Sequence, residues 1–279
     1  MVSKLTICIA SMASDNHAVV ISDRMITLAV PSTEFEQNMS KTIELTNNCV
    51  VSSAGNALGF VPICEEALHI IKQNENALSI QNIAEIVKTA YTNARNVKLE
   101  QEVLARMGLT LQDFYTKSRS LAPEIVANLT QAMQQYNYRV SVLIAGVDEG
   151  GAHIYRIDDP GRIESYDTIG HCAIGSGDLH AVSTFIGNDY DPKLDLDHIV
   201  AMTYEVKRKS EKAQRVGEET DLYVICNNGI IKLPEDKIKQ LAEIFDKKTD
   251  QEKESLAKLE GLVKKLNIQE LDKNITEKL

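Results

Sequence analysis

The chain has 279 residues, 30 basic and 40 acidic side chains, and a formal net charge of −10. With 43% hydrophobic and 25% charged residues it has the composition of a folded chain, which excludes large-scale disorder. The acidic balance disfavours nucleic acid, whose phosphates it would repel. No segment approaches the roughly 18 consecutive apolar residues that a membrane-spanning helix needs.

The short apolar segment after Lys4 is ended by Ser11, Ser14, Asp15 and Asn16, which does not fit a secretory signal. Leu5–Ala10 and His17–Ser22 read as strands with a turn at Asn16, and a polar, Pro-containing loop is expected around Val30–Asn38. Thr42–Leu45 and Cys49–Ser53 read as a hairpin about Asn47-Asn48. The period then becomes helical. Leu58, Val61, Ala67, Leu68 and Ile71 share one helix face; Ile80, Ile83, Ile86, Val87 and Ala90 share another, with Ser79 as its N-cap. Residues 95–137 stay helical in pattern, with breaks at Gly108 and Pro123.

Strands return at Val140–Val147 and Ala152–Ile157 around Glu149-Gly150-Gly151, and Asp159-Pro160-Gly161 is a turn. Short strands follow at Ile163–Asp167 and Cys172–Ile174, then helices over 179–189 and 195–213. Leu222–Cys226 and Ile230–Leu233 flank an Asn227-Asn228-Gly229 turn. Beyond Pro234 the pattern is a polar helix with ten basic and eleven acidic side chains, and Leu256, Leu259, Leu262, Val263 and Leu266 at helical spacing. Hairpins dominate this order, and the β–α–β alternation of a parallel sheet is absent. Two antiparallel sheets enclosed by helix layers are therefore expected.

Cys8, Cys49, Cys64, Cys172 and Cys226 form no C-x-x-C pair, so zinc and thioredoxin-type readings fail, and a reducing cytosol is the simplest compartment. The six histidines form no H-x-x-x-H pair. Asp189-Tyr190-Asp191 and Asp195-Leu196-Asp197 lack the glycine and terminal glutamate of a calcium loop. Gly175-x-Gly177 does not continue as a phosphate loop. No metal and no cofactor are expected.

Several stretches, in order, carry a family resemblance. They are the apolar strand before Asp23-Arg24, Ser40-Lys41-Thr42-Ile43, Ala54-Gly55, His153–Asp158 with Gly161, Ala173-Ile174-Gly175-Ser176-Gly177, Asp221–Cys226 with Asn227-Asn228-Gly229, and Leu233–Ile238. Together they resemble the β-type subunits of proteasomes and their bacterial relatives of the HslV type, which are N-terminal-nucleophile (Ntn) hydrolases. The resemblance covers about residues 5–95 and 138–245. It implies an α+β fold, a four-layer α/β/β/α sandwich of two antiparallel sheets, with a helical insertion at about 96–137 and a C-terminal helix. Residues 1–245 would form the Ntn domain and 246–279 a helical appendage.

The resemblance also implies a site. An Ntn hydrolase needs a nucleophile that becomes residue one after maturation, with its free amine as the base. Thr6 is the threonine at the matching place, Lys41 matches the lysine that stabilises the alkoxide, and Asp23 matches its acidic partner. Gly55 matches the glycine whose N–H forms the oxyanion hole, and Ser176 the serine that bonds near the amine. Strand parity equally permits Lys4 in the first position, a register with no hydroxyl. Removing Met1 alone would expose Val2, so activity requires cleavage between Leu5 and Thr6. The family's further Asp and Ser fall on Ala213 and Val216, which cannot hydrogen-bond through their side chains. Gln214 and Arg215, or Glu218 and Glu219, are the nearest polar substitutes.

Three functions fit this reading. The first is threonine-type peptide-bond hydrolysis on polypeptide substrates inside a homo-oligomeric ring, with or without an ATPase partner. The second is a catalytically silent structural or regulatory subunit, favoured by Ala213 and Val216. The third is an Ntn amidase or transpeptidase. The C-terminal helix is expected either to dock on a neighbour or to be a solvated tail.

Overall fold

A computed structural model of the chain describes residues 6–14, 16–28, 33–36, 40–74, 77–212 and 216–265. Twelve strands and seven α-helices are found among them. One five-stranded sheet takes the order β10-β1-β2-β11-β12, from His171–Gly175, Ile7–Ala13, His17–Asp23, Thr220–Cys226 and Gly229–Lys232. The other takes the order β5-β6-β7-β8-β9, from Thr42–Thr46, Cys49–Gly55, Val140–Asp148, Gly151–Asp158 and Arg162–Ser165. Every pairing in both sheets is antiparallel.

Alternation along each strand decides what each sheet face meets. Cys8, Ala10 and Met12 of β1, and Ala18 and Val20 of β2, share a core with Val50 and Ala54 of β6 and with Leu143, Ala145 and Val147 of β7. That core joins the two sheets. The intervening Val142 and Ile144 of β7 point the other way, into a second core with Ile63 and Ala67 of α1 (Ala57–Gln73) and Ile83, Val87 and Tyr91 of α2 (Ile80–Leu99). A strand buried on both faces must be apolar at nearly every position, which is why 140–147 reads as an unbroken run. Each such Ile or Leu contributes about 1.5–3 kcal/mol by leaving water, and a one-residue slip of β7 would exchange its two faces. On the far side, α6 (Leu196–Ser210) and α5 (Asp178–Gly187) cover the first sheet. Ser11 of β1 meets Thr203 of α6 there, their hydroxyls 2.6 Å apart and buried. The result is the four-layer α/β/β/α sandwich that the resemblance implies.

Helix α2 starts where the sequence signals it. The Ser79 hydroxyl accepts from Asn82 N, and Asp148 Oδ2 accepts from Ile80 N at 2.8 Å. The chain then leaves α2 through a π-helical turn at Glu100–Leu104 and a short turn at Ala105–Met107. It continues into α3 (Leu111–Lys117) and α4 (Pro123–Gln135). Leu99, Leu104, Phe114 and Leu129 give this segment its own small core. Gly108 ends the first part at φ +68°, and Pro123 opens α4.

The segment expected to be a polar loop instead contains a strand. Thr33–Glu36 (β4) pairs antiparallel with Met25–Leu28 (β3). Thr and Phe alternating with Glu suit a strand, and Pro31 hides that pattern in the composition. The structure divides into two units, Met1–Leu233 and Pro234–Leu279. In the second, α7 spans Glu235–Lys265, with Leu256, Leu259 and Leu262 exposed. No helix among the described residues is long and apolar enough to cross a membrane.

Candidate active site

Antiparallel pairing of β1 with β2 sets Ile7 beside Asp23, and pairing with β10 sets Ile7 opposite Gly175. Thr6 therefore sits at the end of β1, between the end of β2 and the loop that follows β10. Its hydroxyl donates to Asp23 Oδ1 at 2.5 Å, and Ile7 N donates to the same oxygen at 3.1 Å. The Lys41 ammonium, at the entry to β5 in the other sheet, donates to Asp23 Oδ1 at 2.6 Å and to Thr6 Oγ1. Gly217 N donates to Asp23 Oδ2 at 2.9 Å. Asp23 is wholly buried and Thr6 is 3% exposed. A buried carboxylate is tolerable only with such partners; here a cation and three neutral donors share its two oxygens.

Ser176 holds the main chain of Thr6 from the other side. Its N–H donates to Thr6 O at 2.9 Å, and its hydroxyl accepts from Thr6 N over a longer 3.4 Å. Gly175 makes this approach possible. Its φ is +116°, and a Cβ there would collide with the Thr6 carbonyl. The structure thus joins Thr6, Asp23, Lys41 and Ser176 in one hydrogen-bonded cluster. Gly55 stands at the end of β6 at φ +104°, where a Cβ would strike Arg139 O, and Asn56 N donates to that same carbonyl. Gly55 has no bond to the cluster among the described contacts.

Polar side chains between the sheets support Lys41. Ser22, Thr42 and Ser52 form a buried chain, with Thr42 Oγ1 2.8 Å from Ser52 Oγ and 3.4 Å from Ser22 Oγ. Ser40 bonds the Tyr223 hydroxyl at 2.9 Å and accepts from Thr42 N, which fixes the chain on both sides of Lys41. Cys8 is a thiol close enough to feel the charges of Lys41 and Asp23. Burial pushes it up to about 12, against the lowering charge of Lys41, so it stays protonated and makes a poor rival nucleophile.

Ala213 and two of the polar substitutes, Gln214 and Arg215, lie outside the described residues. Val216 is buried against Gly177. Glu218 and Glu219 are exposed, and Glu219 lies 3.8 Å from Arg24. The donor that reaches Asp23 from this loop is the Gly217 main chain, which sequence reasoning missed because a backbone N–H leaves no mark in residue type. Among the described residues no group of three or more His, Cys, Asp or Glu is placed to hold a metal ion.

Comparisons with known proteins bear on the fold that carries this cluster. A family model described as Proteasome subunit matches residues 101–225. A proteasome subunit beta of Ferroglobus placidus is 28% identical over 164 residues, 56% of this chain and 76% of that protein. One from Archaeoglobus fulgidus is 27% identical over 179 residues, covering 61% and 81%. Over these stretches the chain is similar to proteasome subunits. A proteasome subunit alpha type-2 of Dictyostelium discoideum is also similar, 24% identical over 198 residues, 65% of this chain and 82% of that protein. The similarity thus extends to relatives of both the beta and the alpha class.

Proposed function

We propose that this chain is a proteasome-type subunit that hydrolyses peptide bonds with Thr6 as nucleophile, once cleavage between Leu5 and Thr6 frees the Thr6 amine. The observation that carries the proposal is the single cluster of the Thr6 hydroxyl, the Asp23 carboxylate and the Lys41 ammonium. Before cleavage Thr6 N is an amide and cannot take a proton. After cleavage the amine accepts the hydroxyl proton, directly or through a water, as Thr6 Oγ1 adds to the substrate carbonyl. Lys41 stabilises the oxygen that loses the proton, and Asp23 orients Lys41. Gly55 N–H is proposed to meet the oxyanion. The peptide amine leaves with a proton, and water then hydrolyses the threonyl ester.

The substrate is proposed to be polypeptide, and the active form a cytoplasmic homo-oligomeric ring. A ring would keep such a nucleophile away from folded proteins. The alternative, a silent scaffold subunit, draws support from the apolar Val216 at a position where the family carries a hydroxyl. An electrophile that needs both a hydroxyl and a free amine distinguishes the two. The peptidase reading predicts stoichiometric labelling that Thr6→Ala removes; no labelling of a chain whose processed N-terminus is Thr6 would establish the scaffold instead.

A further inference from the structure

Among the described residues the mechanism leaves several buried charged groups unused, and Lys207 is the most deeply buried of them. Lys207 of α6 sits in a K-R-K run that reads as a solvated helix face, yet its side chain is 0% exposed. Its ammonium donates to Glu211 Oε1 at 2.6 Å and to the Glu218 main-chain carbonyl at 2.7 Å. It also lies near enough to Asp23 for their charges to attract. Burying an ammonium costs several kcal/mol unless its partners offset it, and an apolar side chain of equal length would fill the same space. The charge must therefore be explained by what it holds.

The held group is the turn that closes the Thr6 site. Glu218 follows Gly217, and the Gly217 N–H is the donor to Asp23 Oδ2. One end of this short segment is bonded to Asp23 and the other to Lys207. Val216, just before it, is buried with its side chain against Gly177 but supplies no polar group. We infer that Lys207 is a positioning residue of the Thr6 site, pinning the Gly217–Glu218 turn so that the Gly217 N–H closes on Asp23. Lys207 touches neither Thr6 nor substrate and acts through Gly217 and Asp23. It supplies from α6 an anchorage that Val216 cannot supply from the loop. As a contribution to catalysis the inference rests on Thr6 being the nucleophile; as a statement about the turn it stands apart from that reading.

The test uses the full chain in its assembled form with Lys207→Met and the milder Lys207→Gln, read by two measurements. Hydrogen–deuterium exchange of the peptide spanning 216–220 reports the turn. Peptide hydrolysis reports the site. The expected result is a loss of protection at Gly217 of about tenfold or more, with protection at Ile83 and Val87 of α2 unchanged. With it goes a fall in kcat of about tenfold or more at nearly constant KM, because the bond acts on the nucleophile and not on substrate binding. A general packing defect would instead lower protection in α2 as well and shift KM, and that result overturns the inference. Unchanged protection at Gly217 in whichever variant folds also overturns it. If the wild-type chain hydrolyses nothing, the peptidase reading fails, and the exchange measurement alone still decides whether Lys207 holds the turn.

Discussion

Lys41 Nζ stands 2.6 Å from Asp23 Oδ1, with 10% of the lysine side chain and none of the aspartate exposed. The two residues come from different sheets, so this ion pair joins the end of β2 to the entry of β5 across the mouth of the sandwich. The Thr6 hydroxyl lies between them, bonded to both. Because the pair is nearly dry, it is screened little by salt, and breaking it leaves a buried carboxylate short of its cation.

Replacing Lys41 by Met tests both consequences. Peptide hydrolysis should fall by about 10²–10³-fold through loss of the charge beside the nucleophile. Stability should fall by about 1–3 kcal/mol, because Asp23 keeps its burial but loses a charged donor. Urea unfolding measures the second effect. A variant of unaltered activity would show that Lys41 serves the fold alone.

Gly175→Ala tests the placement of Thr6 without touching any catalytic side chain. At φ +116° an alanine is strained, and its Cβ would displace the Thr6 carbonyl that Ser176 N holds. A destabilisation of about 2–3 kcal/mol is expected, together with a loss of electrophile labelling larger than the change in stability accounts for. Thermal unfolding and labelling on one preparation compare the two.

His153 offers a pH test away from the site. It bonds Asp167 at 2.7 Å and Asp148 at 3.2 Å. Burial alone would lower its pKa, but these two carboxylates outweigh that and raise it above the ordinary histidine value. A raised folded pKa means that the charged pairings stabilise the fold fully below the ordinary value of 6.5, and that this contribution is lost as pH rises through the raised one. His153→Gln should therefore cost about 1 kcal/mol at acid pH, with the gap to wild type narrowing on the alkaline side. Parallel stability curves for the two proteins across that window would contradict this.

Much of the sandwich is legible in the residues because its strands alternate and its helices carry clean apolar faces. Ser79 is visible as a cap, and the run 140–147 as a strand, whose burial on both sides the structure adds. The β3–β4 pairing is not, since its strands are four residues each and β4 carries two glutamates. The grouping of Thr6, Asp23, Lys41 and Ser176 comes from family resemblance in the sequence, because nothing local marks residues 35 and 170 positions apart as neighbours. Gly217 and Lys207 escape that reading for physical reasons. One acts through its backbone, and the other hides a buried ammonium inside a charge run that looks solvated.

The central claim is that Thr6 becomes a free N-terminal nucleophile. Intact-mass measurement of the purified, assembled protein tests it most directly. The account predicts a mass lower by the residues Met1–Leu5, with Thr6 at the new N-terminus. A mass that retains those residues under every assembly condition would contradict it.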